Sequence, residues 1–131
     1  MSDDLPHCAV WARLGVSALH GVGVFAVRAI PRGTSVFSND GVAIVWVDAD
    51  EIDAAPMGSA LRKLYTDFSV RRDGLLGCPP NFNMLTTGWY VNEPEAGKPA
   101  NLTVDFNFAM KAIRDIEEGE ELTADYSTYS K

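Results

Sequence analysis

The chain has 131 residues, and 47% of them are hydrophobic, which suits one globular domain with a buried core. No apolar run approaches the roughly 18 residues of a membrane-spanning helix, and the acidic start does not resemble a secretory signal. The net charge of −7 disfavours binding to nucleic-acid phosphates. Such a charge is ordinary for a soluble protein, and it would also attract a basic partner. We expect a single domain over residues 1–131 with its core at about 10–130, without membrane or direct nucleic-acid contact. We expect it in the cytoplasm, with the nucleus as the alternative.

Cysteine usage argues against a metal centre. Two cysteines, Cys8 and Cys78, and two histidines cannot supply the clustered ligands of a structural zinc site. We expect both thiols to be buried or half-buried, the compartment to be reducing, and no metal to be required.

The first half of the chain is predicted to form short strands separated by turns. The predicted strands are residues 7–12, 24–30 and the two arms of a hairpin, 36–37 and 42–47. The predicted interruptions are Gly15, the turn at 20–23 and the Asn-Asp-Gly turn at 39–41.

Two stretches repeat one pattern at opposite ends of the chain. Residues 26–36 and 112–122 share alanine, arginine, isoleucine and glycine at equivalent positions, and the other apolar positions stay apolar. Two copies this far apart do not form a solenoid, which needs three or more stacked units. The alternation predicts a strand, a tight turn and a second strand in each copy, with Gly33 and Gly119 free to adopt positive φ.

The second half contains the predicted helices and loops. An acidic helical turn is predicted at 50–53, and a short helix from Ser59, because Leu61, Leu64, Tyr65 and Phe68 fall at helical spacing. Loops are predicted at 74–83 and 93–100, a short strand or turn at 84–92, and strand-like alternation at 101–113. The fold class is therefore mainly β, with one or two short helices.

Three local patterns are candidates for function, and each has a structural alternative. The Gly-Val-Gly at 21–23 suits either a hairpin turn or a close approach of the backbone to a ligand. Asn92 and Asn101 bracket a proline-rich loop, a pattern that by itself favours local Asx-turns. Tyr126 near the C-terminus suits either rim packing or orientation of a substrate amine through its phenol oxygen.

Taken together, these patterns resemble a known family. His20-Gly-Val-Gly-Val-Phe-Ala26, Trp89-Tyr-Val-Asn92 and Ile113-Arg-Asp-Ile-Glu-Glu-Gly-Glu-Glu-Leu-Thr-Ala-Asp-Tyr126 occur in this order. The chain thereby resembles a minimal SET domain, the fold of protein-lysine methyltransferases that use S-adenosylmethionine. The resemblance implies a β-clip-like fold of small sheets with a threaded C-terminal segment. The middle motif departs from the family pattern, since Asn92-Glu93-Pro94 stands where the family has Asn-His-Ser.

The resemblance also implies roles for individual residues. The backbone around His20, Gly21, Val22 and Gly23, together with Asn92 and the main chain of Glu93, would hold the cofactor. Tyr126 matches the catalytic tyrosine. Candidates for the wall of the substrate channel are Tyr65, Trp89 and Tyr129.

The implied reaction is methyl transfer from S-adenosylmethionine to the ε-amine of a lysine in a basic protein or peptide. Only the neutral amine can attack, so the channel must desolvate it, and alignment of the reacting atoms supplies much of the rate. The alternative is a SET-fold binding module that has lost catalysis, for which the Asn-Glu-Pro departure is the evidence.

Overall fold

The computed structural model describes residues 10–37 and 43–130. This part of the chain folds mainly into short β-strands, as predicted, with two short helices and a few single 3-10 turns. The strands are β1 Ala12–Val16, β2 Val22–Ala26, β3 Val45–Asp48, β4 Val70–Arg72, β5 Leu75–Cys78, β6 Leu102–Val104, β7 Met110–Ala112 and β8 Glu121–Leu122. The helices are α1 Ala49–Ala54 and α2 Ser59–Asp67, and the 3-10 turns are Phe82–Met84, Thr87–Tyr90 and Tyr126–Thr128.

The strands form three small antiparallel sheets. Their orders are β1-β2-β8, β3-β5-β4 and β6-β7. The main core lies between the first and third sheets, and its largest fully buried side chains are Val24, Ile30, Ile116 and Leu122. All four belong to the two repeat copies or to the strand that leads into the first copy. Alternating apolar residues of the repeat therefore form the centre of the fold.

The two repeat copies bond to each other reciprocally. Ile30 and Ile116 each donate a backbone hydrogen bond of 2.8 Å to the other's carbonyl oxygen. The glycine of each copy donates to the first alanine of the other, also at 2.8 Å: Gly33 to Ala112, and Gly119 to Ala26. The copies are thus related by a local two-fold arrangement, and each provides the hydrogen-bonding partner that the other lacks.

The C-terminal segment passes between two other parts of the chain. Ala124 donates a backbone hydrogen bond of 3.0 Å to the carbonyl of Asn92, and Leu102 donates one of 3.0 Å to the carbonyl of Thr123. Both contacts are parallel bridges, whereas the named sheets are antiparallel. The segment is therefore held on both sides, as the family resemblance implies.

The prediction for the first strand was wrong in its bounds. β1 begins at Ala12 and continues through Gly15, which pairs with Gly23 of β2. A Cβ at Gly15 would lie 2.9 Å from the ring of Phe25, so glycine makes room for an aromatic side chain rather than ending the strand. Residues 7–9 of the predicted strand and Cys8 lie outside the described residues.

The predictions for the second sheet were wrong in two places. β3 pairs with β5 and not with residues 36–37, and the predicted turn at 39–41 lies outside the described residues. The predicted loop at 74–83 contains β5, the central strand of its sheet. The missed signal was Asp73-Gly74, whose φ angles of 53° and 79° make the tight turn that joins β4 to β5. Gly77 packs closely under Trp46, which explains a glycine inside this strand.

The helices were predicted correctly. The side chain of Asp48 caps α1 by accepting a 2.8 Å hydrogen bond from Asp50 N–H. α2 begins at Ser59. In the described ranges, no helix combines the length and the apolar character that crossing a bilayer requires.

The two turn glycines can be tested together. Gly33 and Gly119 have φ angles of 88° and 86°, and no atom lies within 4 Å of the position of an added Cβ. Replacing either by alanine should therefore lower the free energy of unfolding through backbone strain alone, by about 1–2 kcal/mol. Urea unfolding measures the change. Gly58→Ser, at a φ of −69° in equally open space, is the control and should lose no stability. Equal losses at all three sites would contradict a conformational role.

Candidate active site

Two cavities meet at the C-terminal end of the threaded segment. The wide cleft, about 930 Å³, lies beside the turn that joins β1 to β2 and beside the loop after Asn92. The narrow cavity, about 220 Å³, has mainly apolar walls. Five residues line both cavities: Thr66, Asp67, Trp89, Val91 and Tyr126. A molecule in the wide cleft and a side chain in the narrow cavity would therefore approach each other at Tyr126.

The turn between β1 and β2 is held by the hydroxyl of Ser17. Its oxygen accepts hydrogen bonds from the backbone N–H groups of Leu19 and His20, at 2.9 and 3.2 Å. The hydroxyl lies 2.9 Å from both carboxylate oxygens of Glu121, to which it donates. Gly21 closes the turn with a φ of 45°. This network fixes the backbone that forms one wall of the wide cleft.

Asn92 connects this turn to the C-terminal segment. Its amide nitrogen donates to the carbonyl oxygens of His20 and Val22, at 3.0 and 3.2 Å, and to Glu121 Oε2 at 3.1 Å. A Cβ at Gly23 would overlap the same carboxylate oxygen. The glycine therefore provides space for Glu121, and Asn92 positions the turn through its carbonyl groups.

Asn101 holds the other side of the same segment. It is almost fully buried, accepts a 2.8 Å hydrogen bond from Thr123 N–H, and donates to the Glu121 carbonyl at 2.8 Å. Its amide also donates to the side chain of Glu120, whose carboxyl pKa is lowered chiefly by a hydrogen bond from Arg114. The two asparagines thus bond to distant segments, and the local Asx-turn interpretation of this pair was wrong.

The narrow cavity is an aromatic enclosure around Tyr126. The rings of Tyr126 and Tyr129 meet edge to face with centroids 5.9 Å apart, and Phe108 meets Tyr129 at 6.4 Å. The Tyr126 hydroxyl donates a 2.5 Å hydrogen bond to the carbonyl oxygen of Val91. Trp89 completes the wall shared with the wide cleft.

The phenols of this enclosure are neutral over the physiological range. Burial, followed by the nearby carboxylate of Glu93, raises the pKa of Tyr126 to about 12. Burial also raises the pKa of Tyr129, with further contributions from Tyr126, Glu93 and Asp125. Each hydroxyl is therefore a dipole that donates one hydrogen bond and accepts others, and neither is a negative charge at neutral pH.

Most of the predicted site residues lie around these two cavities. His20, Val22, Asn92 and Glu93 line the wide cleft, and Gly21 and Gly23 belong to the adjoining backbone. Trp89 and Tyr129 line the narrow cavity. Tyr65 lies apart, because it packs edge to face on Phe82 and lines a third, smaller cavity.

Sequence reasoning missed Ser17, Val91 and Glu121. The only available signal was Gly23, since a glycine inside a strand often marks a close approach by another group. The Gly-Val-Gly was interpreted either as a hairpin turn or as a close approach of the backbone to a ligand, and the structure places the Glu121 carboxylate beside Gly23. Within residues 10–37 and 43–130, no three His, Cys, Asp or Glu side chains are grouped as metal ligands would be.

Comparison with known proteins identifies the family. The sequence profile of the SET domain matches residues 21–127, which is most of the chain, and the chain therefore belongs to the SET-domain family. This membership supports a protein methyltransferase function in general terms. No curated protein sequence shows significant similarity to the chain.

Two solved structures share the fold. One is a Plasmodium falciparum protein proposed to be a histone methyltransferase, with a TM-score of 0.57, 17% identity, and coverage of 89% of this chain and 93% of that one. The other is the methyltransferase domain of human PR domain-containing protein 2, with a TM-score of 0.56, 21% identity, and coverage of 93% and 78%. At these identities, the similarity establishes the fold.

The neutral state of Tyr126 has a measurable pH signature. A phenol has an ordinary pKa near 10, and the folded-state pKa of Tyr126 is about 12. Its contribution to stability is therefore fully present below about pH 10 and is lost as the pH rises through the folded value. The difference between the alkaline absorbance titrations of the wild type and Tyr126→Phe reports this phenol, and we expect its midpoint well above 10. A midpoint at 10 would mean that burial does not act on this group.

Proposed function

We propose that this protein transfers a methyl group from S-adenosylmethionine to the ε-amine of a lysine in a protein substrate. The observation that carries the proposal is the meeting of the two cavities at Tyr126 and Val91. One cavity is large enough for a nucleoside cofactor, and the other has the smaller volume and apolar character suited to an alkyl side chain.

The chemistry of the wide cleft fits a cationic nucleoside. Among the described residues, its lining includes three carboxylates and no lysine or arginine; the carboxylates are Asp67, Glu93 and Glu95. Aromatic faces of Phe68, Trp89 and Tyr90 are present for a cation or a base to pack on. The backbone at His20 and Val22 and the loop at Asn92 and Glu93 would hold the cofactor, which supplies an electrophilic methyl group on a sulfonium centre.

The narrow cavity prepares the nucleophile. Its lining is mainly apolar, and the one carboxylate among its described residues, Asp67, is already paired with Lys63. The cavity therefore disfavours the charged ammonium form of lysine, and the neutral form is the one with a lone pair for attack. The lysine loses one proton to solvent before it reacts, so no strong base is required of the protein. The lining side chains that exclude water here are Phe37, Ile44, Val70, Phe108 and Met110.

Tyr126 and Val91 orient that amine. The Tyr126 hydroxyl donates to the Val91 carbonyl, which leaves lone pairs on both oxygens to accept N–H groups of the incoming amine. Because the phenol is neutral, it directs the amine by dipole and hydrogen bond, without an ion pair that would favour ammonium. Orientation of this kind lowers the barrier by alignment.

A non-catalytic SET-fold module is the second candidate, supported by the departure at Asn92-Glu93-Pro94. Pro94 lines the wide cleft and has no N–H to offer a ligand. Glu93 accepts a 3.3 Å hydrogen bond from Tyr126 N–H, so this altered loop contacts the catalytic candidate directly. Cofactor binding separates the two candidates.

Cofactor binding should depend on Asn92. Calorimetry with S-adenosylhomocysteine should show saturable binding to one site, unchanged by chelators. Asn92→Ala should weaken binding by about 1–3 kcal/mol, because the carbonyl groups of His20 and Val22 lose their buried donor and the turn loses its position. Asn83→Ala, on an exposed 3-10 turn, is the control. Absence of binding at millimolar ligand would favour the non-catalytic module.

Turnover should depend on the hydroxyl of Tyr126. Tyr126→Phe removes one oxygen and little volume, so we expect folding to survive while methyl transfer to lysine-rich proteins falls about 10²–10³-fold. Tyr65→Phe is the matched control, since that phenol lies outside both cavities. Labelled cofactor measures transfer, and thermal melts measure folding. Equal activity of Tyr126→Phe and wild type would remove the hydroxyl from the mechanism.

A further inference from the structure

A group of aromatic rings and one guanidinium lies beside the narrow cavity and shares Phe108 with it. We call it the Arg72 platform and define it by Trp46, Arg72, Phe106 and Phe108. The Arg72 guanidinium lies 4.1 Å from the ring centroid of Phe106 and 4.3 Å from that of Phe108. Three separate elements thus contribute to it, namely β3, the end of β4, and the turn between β6 and β7.

The turn that carries the two phenylalanines is closed by its own hydrogen bonds. Asp105 Oδ1 accepts from the backbone N–H groups of Asn107 and Ala109, at 2.8 and 2.9 Å. Phe108 adopts a φ of 64°, which is rare for a bulky side chain and strains the backbone. Strained backbone conformations of this kind occur more often at functional sites than elsewhere. Phe106, in contrast, is 75% exposed. A large apolar ring held in solvent beside a cation is a surface that a partner can cover.

The platform is continuous with the proposed catalytic site. Phe108 belongs to both, since it lines the narrow cavity and contacts Tyr129, which in turn contacts Tyr126. These ring contacts place the Arg72 guanidinium no more than about 17 Å from the Tyr126 ring. An extended peptide advances about 3.3 Å per residue, so this distance corresponds to about five residues.

The charge of Arg72 is available to a partner. The ion pairs among the residues that the structure describes join other side chains: Lys63 to Asp67, Lys98 to Glu95, and Arg114 to Glu120. The contacts of the Arg72 guanidinium in the same ranges are with aromatic rings, which do not pair with its N–H groups as a carboxylate would.

We propose that the Arg72 platform binds an acidic side chain of the protein substrate, within about five residues of the target lysine. This inference rests on the proposed function and deepens it by naming the substrate class. The net charge of −7 attracts a basic substrate at long range, whereas Arg72 is a local positive charge near the channel. A substrate with one correctly placed carboxylate gains a pairing that a uniformly basic peptide lacks. The platform therefore sets register and specificity more than affinity.

Peptide binding tests the proposal without requiring catalysis. The probes are fluorescein-labelled peptides with one central lysine in an alanine–serine background, carrying a single Glu at each position up to five residues on either side. Matched probes carry Gln instead. Fluorescence anisotropy in the presence of S-adenosylhomocysteine should show about fivefold tighter binding of Glu than of Gln at one or two positions. The preference should weaken with rising salt.

Variants assign the preference to Arg72. Arg72→Ala should abolish the discrimination between Glu and Gln, and Arg72→Glu should reverse it in favour of probes that carry a second Lys at the same position. Arg71→Glu, an equal charge change at the adjacent exposed position of β4, should keep the wild-type preference. Phe106→Ala removes an exposed ring outside the core and should reduce binding of the Glu probe. It provides a second test of the platform in case an Arg72 variant fails to fold.

The outcomes separate this inference from the proposed function. Arg72-dependent preference for Glu supports the platform even if no methyl group is transferred, in which case the proposed function alone fails. Equal binding of Glu and Gln probes to the wild type overturns the platform. A preference for Glu that is lost in Arg71→Glu but kept in Arg72→Ala overturns it as well. Methyl transfer without any acidic preference would retain the proposed function and reject the platform.

Discussion

The reciprocal pairing of the two repeat copies is the constraint on which the rest of this structure depends. Ile30 and Ile116 exchange backbone hydrogen bonds, and the turn glycine of each copy donates to the alanine of the other. The pairing places β8 beside β2 and directs the following residues between Asn92 and Leu102. Without it, Tyr126 would have no fixed position relative to the turn that lines the wide cleft.

Carboxylates carry out different tasks within a few residues of one another. Glu121 is a structural acceptor that joins Ser17 and Asn92, and Glu120 pairs with Arg114 on the outside. Glu93, by contrast, lines the wide cleft and adds to the effect of burial, which is the larger cause of the raised pKa of Tyr126. The acidic residues therefore have two separate functions. Some of the carboxylates stabilise the fold, and others set the electrostatics of the candidate site.

The sequence predicted what local patterns and repeats encode. Alternation and the two glycines predicted two equivalent units with turns at Gly33 and Gly119, and helical spacing with acidic first-turn residues predicted α1 and α2. It did not predict strand partners, because β3 pairs with β5 through contacts about thirty residues apart that no local pattern specifies. For the same reason Glu121 was missed, since its function depends on Ser17, 104 residues away. Tyr65 was named as a channel candidate from the family resemblance without a firm motif, and tertiary packing places it against Phe82.

The threaded segment also constrains the order in which the molecule can assemble. The bridge between Ile30 and Ile116 cannot form until Ile116 is synthesised, 86 residues later. The bridges of the C-terminal segment to Asn92 and Leu102 form only after that. During translation, the outer edge of β2 stays open, since the strand that covers it is β8. Such long-range pairing implies slow folding relative to helical domains of this size. The topology that brings the two cavities together therefore leaves a strand edge uncovered until late in translation.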